Sequence, residues 1–149
     1  MEHKQLFFLV QRAQHCLNKL GDKAFQKVLG VSSAHLSALF YLMRHNDCLL
    51  KDLSAGLDLN NSAVTGLVRR MEAVDLIIKR SCEQDGRAFR VKLTEKGLTV
   101  AKEANPVLQK IHKLLSSDFT IGEMDTIIRF LATIIAVKEV EEVSILESI

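Results

Sequence analysis

Asn60-Asn61-Ser62-Ala63-Val64-Thr65-Gly66-Leu67-Val68-Arg69-Arg70-Met71 is the stretch on which the reading of this chain turns. Val64, Leu67, Val68 and Met71 fall at i, i+3, i+4 and i+7, the apolar stripe of an amphipathic helix. Asn60 or Asn61 supplies a side chain able to cap the helix start. Opposite or beside the stripe lie Ser62, Thr65, Gly66, Arg69 and Arg70. Small polar groups thus sit near the start of the helix and two guanidinium groups further along it.

Working upstream, Leu57-Asp58-Leu59 reads as a turn and residues 51–56 as a short helix with Leu53 and Leu57 inward. Cys48-Leu49-Leu50 is a short apolar run that adds a strand or enters that helix. Downstream, Asp75 stands where the helix must stop, and aspartate tolerates left-handed backbone better than most non-glycine residues. Residues 76–80 read as a strand. Asp85-Gly86 is a hairpin-turn signal. On the return strand Phe89, Val91 and Leu93 alternate with Arg90 and Lys92, giving one apolar and one basic face. Thr94 can cap the next helix. Helix, tight turn, helix and two-stranded hairpin, in that order, make a winged helix-turn-helix.

The flanks are helical. Leu6, Val10, Ala13, Leu17, Leu20 and Ala24 recur at three- and four-residue steps, which predicts a helix from about residue 3 to 28, ended by Gly30. Ser32 or Ser33 can cap a second helix with Leu36, Leu39, Phe40 and Met43 inward. A helix from residue 95 to about 117 carries Leu98, Ala101, Leu108, Ile111 and Leu115, with a kink expected at Pro106. Thr120 and Glu123 fit a capping box ahead of a last helix holding Met124, Ile127, Ile128, Leu131, Ile134, Ile135 and Val137. The end helices have more apolar surface than the small central unit can cover. We read them as packing against a second copy of the chain; the alternative is that they complete a monomer core. The expectation is one mainly α domain over residues 1–149, with six helices and a small β-hairpin wing, as an intertwined homodimer. Residues 31–97 form the central winged lobe, and residues 1–30 and 98–149 the dimerisation helices.

Composition narrows the function. The chain has 149 residues, 48% hydrophobic and 26% charged, too apolar for a disordered segment. One proline and seven glycines argue against an all-β fold. The longest nearly apolar stretch, residues 131–137, falls far short of the roughly 20 residues that a membrane span needs. Residues 6–10 are too short for the apolar region of a signal peptide. A cytoplasmic protein is expected. Cys16, Cys48 and Cys82 form no CxxC pair and read as reduced thiols. The five histidines show no ligand spacing, and no Gly-rich phosphate loop, Ser/His/Asp order or carboxylate pair stands out. Neither an enzyme nor a metal or other cofactor is expected.

The net charge of +2 is uninformative, but its distribution is not. Residues 79–96 hold Lys79, Arg80, Arg87, Arg90, Lys92 and Lys96 against three acidic residues, whereas the C-terminal segment is acidic. A basic segment at one end suits a polyanion. The major groove of DNA admits one α-helix, and the helix from residue 61 is shaped for it. Asn61, Ser62, Thr65 and Gly66 are candidates to approach bases or phosphates, with the Asn61 and Ser62 amides able to receive a phosphate. Arg69 and Arg70 are better placed for phosphates. Arg87, after the Asp-Gly turn, can enter a narrow minor groove. Asp85 reads as an ion-pair partner aiming Arg87, with plain turn chemistry as the alternative. Lys79, Arg80, Arg90 and Lys92 are candidates for contacts to the DNA backbone. A winged-helix module that binds protein instead is the competing class.

Three strings carry a family resemblance: Asn61-Ser62-Ala63-Val64-Thr65-Gly66-Leu67-Val68-Arg69-Arg70-Met71-Glu72, Asp85-Gly86-Arg87, and Val91-Lys92-Leu93-Thr94-Glu95-Lys96-Gly97. Residues 50–97 resemble the MarR family of bacterial transcription regulators, and the flanking helices match it in order and length. The resemblance implies an obligate, triangular dimer on a palindromic double-stranded operator, and usually repression relieved by a small ligand or by oxidation. It also implies an effector pocket near the first, second and fifth helices, for which His15, Leu36, Phe40 and His112 are candidate lining residues. Cys16 falls roughly where some members carry a peroxide-sensing thiol, so a cysteine-based redox regulator is an alternative; we read Cys16 as an apolar packing residue. Two departures stand out. Asp75 occupies a position where the family often has glycine, and Gly66 one where it often has a larger polar or basic side chain.

Overall fold

The computed structural model describes residues 3–137. Residues 138–149, the end of the expected dimerisation segment, lie outside the described residues. The chain divides into two compact units, Met1–Gln109 and Lys110–Ile149.

The first unit is ordered as α1 (His3–Leu29), α2 (Ser33–Arg44), β1 (Cys48–Leu49), α3 (Leu50–Gly56), α4 (Asn61–Ala73), β2 (Ile77–Ser81), β3 (Phe89–Leu93) and α5 (Glu95–Glu103). The apolar run at residues 48–50 does both things open to it: Cys48 and Leu49 form β1, and Leu50 begins α3. β1 and β2 both pair antiparallel with β3, giving the sheet order β1-β3-β2. The core is built from Leu36, Leu39 and Leu42 of α2, Leu53 of α3, and Val64, Leu67, Val68 and Met71 of α4, closed by Leu76, Ile77 and Val91. The stripe read from α4 is therefore its buried face. In α2 the reading needs correcting. Ala38 and Leu42 turn inward, Met43 is exposed and Phe40 is only half-buried.

Capping fixes the helix starts. Ser32 caps α2, accepting the His35 N–H, while the His35 ring accepts the Ser32 N–H through Nδ1. Asn60 caps α4 by accepting the Ala63 N–H at 2.8 Å. Thr94 caps α5 through the Gly97 N–H at 2.9 Å.

Three aspartates make the corners. Asp47, Asp58 and Asp75 have φ of 59°, 54° and 60°, just after α2, α3 and α4. Asp75 thus takes the left-handed role without glycine. Its corner is locked from the other side. The Thr94 hydroxyl donates to the Asp75 carbonyl at 2.5 Å, the Thr94 N–H to the Leu76 carbonyl at 3.2 Å, and Lys96 Nζ to the Val74 carbonyl at 2.8 Å. A Cβ on Gly97 would stand 2.1 Å from the Leu76 carbonyl oxygen, so only glycine fits there. These contacts give physical content to the string at residues 91–97.

The expected long helix from residue 95 is broken rather than kinked. α5 ends at Glu103, Ala104 interrupts it, and α6 (Asn105–Ser116) begins anew with Pro106 as its second residue. Proline suits a first helical turn, where its missing N–H costs nothing, and inside one continuous helix it would lack the N–H that bonds four residues back. Counted as one broken helix, α5 and α6 bring the described helices to the expected six.

The second unit contains α7 (Ile121–Val137). Thr120 and Glu123 form the anticipated capping box, with the Thr120 N–H and hydroxyl on Glu123 Oε2 at 2.8 and 2.9 Å. The Thr120 backbone and hydroxyl bonds hold the Glu123 carboxyl below its ordinary pKa. Among the described residues, α6 and α7 hold none that is buried. Ile128, Leu131, Ile134 and Ile135 of α7 are exposed, as are Leu6, Phe7, Phe8, Leu9 and Leu17 of α1. No helix among the described residues is long and apolar enough to cross a membrane.

Candidate nucleic-acid interface

α4 presents Asn61, Ser62, Thr65, Arg69 and Arg70 as exposed side chains on the sides away from its buried stripe. The Thr65 hydroxyl donates to the Asn61 carbonyl at 2.7 Å, leaving its lone pairs outward. The cap on Ala63 leaves the Asn61 and Ser62 amides at the positive end of the helix. Gly66 is half-buried, and a Cβ there would lie 3.3 Å from Arg70 Nη1. Arg70 therefore folds back beside Gly66, and the room that glycine leaves is used by a side chain of the same helix. The Arg70 charge also reaches His35. Burial and then Arg70 lower the imidazole pKa below 6.5, against a smaller opposing effect of Asp22.

The wing differs from its expected form. The loop between the strands spans residues 82–88, and Gly86 has no positive φ. Asp85-Gly86 thus does not make the two-residue mirror turn that its sequence signals. Instead Asp85 Oδ1 accepts the Arg87 N–H at 3.0 Å, the Asp85 carbonyl accepts the Ala88 N–H at 3.0 Å, and the Ala88 carbonyl accepts the Cys82 N–H at 2.9 Å. Asp85 is therefore a turn-maker. Its expected ion pair with the Arg87 guanidinium is absent among the described residues; the carboxylate meets the Arg87 backbone N–H instead. Arg87 is exposed at the tip and enters no ion pair among the described residues.

Lys79, Arg80 and Arg90 are engaged. Lys79 Nζ sits 4.7 Å from the centre of the Phe89 ring, and the Lys79 N–H donates to Glu72 Oε2 at 3.2 Å. Arg80 and Arg90, directly opposite each other across β2 and β3, both pair with Asp47. Arg80 Nη2 lies 2.7 Å from Asp47 Oδ2, Arg90 Nε lies 3.3 Å from Oδ1, and Arg90 Nη2 also donates to the Asp47 carbonyl. Partial desolvation raises the Asp47 carboxyl pKa, but the hydrogen bonds and charges of the two arginines together outweigh it and hold it below its ordinary value. Asp47 was not singled out from the sequence. Lys92 is exposed.

Between α4 and the wing runs a cleft of about 420 Å³, lined among others by Lys51, Asn61, Thr65, Gln84, Asp85 and Arg87. Cys82 lies at its base, buried. Backbone hydrogen bonds from Gln84 and Asp85, aided by Arg90, lower its thiol pKa despite burial. Lys51 and Gln84 were not singled out from sequence. Lys51 stands in the first turn of α3 and Gln84 in the wing loop, and only folding brings them to one cleft with Arg87.

The five effector candidates have different fates. His15 and Cys16 are exposed on α1, so Cys16 is not a packing residue within the chain. Leu36 is a core residue and Phe40 is half-buried. His112, in the second unit, is exposed. None of them lines the cleft at the wing.

The sequence profile of the MarR family matches residues 29–88, from the end of α1 through α4 to the wing loop. Over that segment the chain resembles the MarR family. The curated relatives it resembles are transcriptional regulators. The HTH-type transcriptional regulator MgrA of Staphylococcus aureus is 27% identical over 132 residues, covering 89% of this chain and 88% of its own. The transcriptional regulator BldR of Sulfolobus solfataricus superposes with a TM-score of 0.80 at 23% identity, over 91% of this chain and 99% of its own. MepR of S. aureus, solved as a DNA complex, superposes with a TM-score of 0.79 at 18% identity, over 89% and 96%. Within this MarR-family fold, Asp75 adopts left-handed backbone, and Arg70 lies over Gly66.

Proposed function

We propose that the chain acts in the cytoplasm as a homodimeric repressor of transcription that reads a palindromic operator in double-stranded DNA and is released by a small ligand. α4 enters the major groove with Asn61, Ser62, Thr65 and Arg69 toward the DNA. Gly66 and Arg70 lie at the edge of that surface, and the Arg87 tip reaches a flanking minor groove. Lys79, Lys92 and the cleft residue Lys51 supply positive charge near the DNA backbone. Residues 31–97 are the DNA-binding lobe, and residues 1–30 and 98–149 form the dimer. The observation that carries this reading is the pairing of an exposed polar side on α4 with an exposed guanidinium, without an ion pair, on the neighbouring wing.

Support for the dimer comes from the uncovered apolar surface of α1 and α7, which a second copy would remove from water. The ligand-release step rests on the family resemblance.

Binding is measured by fluorescence anisotropy against a duplex that the protein enriches from a random library, across a salt series. A protein making about 6–10 phosphate contacts loses roughly 10³–10⁵ in affinity between about 50 and 200 mM salt. An affinity insensitive to salt contradicts the reading. Arg87→Ala is expected to weaken binding about tenfold or more, the scale of one guanidinium contact to DNA, while the protein stays folded. Unchanged affinity would remove the wing tip from the interface.

A further inference from the structure

Arg80 and Arg90 are an unfavourable pair taken alone. They sit at the same level of neighbouring antiparallel strands, on one face of the hairpin, and like charges directly opposite repel. The cation that would best solvate a DNA phosphate there is thus also a source of strain in the wing. The structure resolves this with a residue from another element. Asp47, at the corner between α2 and β1, places one carboxylate against both guanidinium groups and its carbonyl against Arg90. Its left-handed backbone belongs to that corner. The neighbouring Asn46 side chain accepts the Leu93 N–H at 3.0 Å, so the same corner also holds the far end of β3. A single exposed ion pair is worth little. Here one carboxylate serves two arginines, and a backbone carbonyl anchors one of them a second time, so the hairpin is tied to the end of α2 at several points.

We propose that Asp47 is a positioning residue for DNA recognition: it holds Arg80 and Arg90 away from the duplex and fixes the wing, so that Arg87 is the hairpin arginine that meets DNA. This deepens the DNA-binding reading above and rests on it. The consequence is a trade. The wing gives up two possible phosphate contacts, which carry no sequence information, and gains a fixed tip. Asp47 therefore raises selectivity at the expense of general affinity.

The test uses the full-length protein and two duplexes, one enriched from a random library by the wild-type protein and one scrambled at the same length. Asp47→Asn keeps the side-chain shape and a residue that tolerates the left-handed corner. It is expected to bind the scrambled duplex more tightly and to narrow the preference for the enriched one. Its salt dependence should steepen by about 0.9 in slope for each arginine that now reaches a phosphate. Amide exchange in the free protein should quicken at residues 79–82 and 88–91 and stay unchanged in α4. The double variant Arg80→Gln/Arg90→Gln covers the case in which Asp47→Asn does not fold. It should keep the wild-type salt slope, because those arginines do not touch DNA.

A slope that flattens in the double variant overturns the proposal, as does an Asp47→Asn protein with wild-type slope and selectivity. In both cases the wild type still binds with a steep salt dependence, so the DNA-binding reading survives. A wild-type protein that binds neither duplex defeats that reading itself, and the proposal with it.

Discussion

Gly97 shows how one missing methyl group can hold a fold together. Its Cα faces the Leu76 carbonyl, and an added Cβ would lie 2.1 Å from that oxygen, against backbone that has no rotamer to change. Gly97→Ala is expected to destabilise the protein by about 1–3 kcal/mol, the usual cost of overpacking, although alanine is the better helix former. Urea unfolding at fixed protein concentration checks this, and a variant as stable as the wild type would show that the contact yields. His35 supplies a second prediction at this scale. Its Nδ1 accepts the Ser32 N–H, which requires the unprotonated ring. Burial and the Arg70 charge lower its pKa in the folded state, so the unfolded chain binds the proton more readily. The contribution to stability is full above pH 6.5 and is lost as pH falls through 6.5 toward the lower folded value. His35→Gln, which does not titrate, should remove that part of the decline. A constant difference in urea midpoint between the two proteins from about pH 8 to about pH 5 would refute the assignment.

At the scale of elements, α4 depends on its cap. Asn60→Ala removes the acceptor for the Ala63 N–H and is expected to cost about 1 kcal/mol. The loss should appear as faster amide exchange in the first turn of α4 and as weaker DNA binding. Exchange confined to the far end of the helix would contradict it. The elements most legible from sequence were those with strong local signals. The α4 stripe, the Thr94 and Thr120 caps and the left-handed Asp75 all follow from residues a few positions apart. The misses have one physical origin, which is competition from partners distant in sequence or from the backbone. Asp85 looked like a partner for the Arg87 guanidinium, but its carboxylate accepts the Arg87 backbone N–H at 3.0 Å. Asp47 could not be linked to Arg80 and Arg90 by periodicity, since they are 33 and 43 residues away. Phe40 and Leu42 are both apolar, and the packing of α2 on the rest of the unit, rather than spacing alone, decides that Leu42 is buried.

On the scale of the whole molecule, the apolar surface of α7 is uncovered among the described residues, and Ile135 is 72% exposed. If that surface is the dimer seam, Ile135→Asp places a charge in an apolar contact and should shift sedimentation from dimer to monomer at concentrations where the wild type is paired. A variant that remains dimeric would move the seam away from this part of α7. The four apolar residues of α1 at positions 6–9 are equally uncovered, and the same measurement applied to Phe8→Asp separates the contributions of the two helices.

The corner at residues 74–76 deserves to be followed one step further. Three successive carbonyls there are occupied by Thr94 and Lys96, and Gly97 leaves no gap for slack. The joint is a weld, not a ball and socket. A roll of α5 about its own axis would strain three hydrogen bonds at the end of α4 at once.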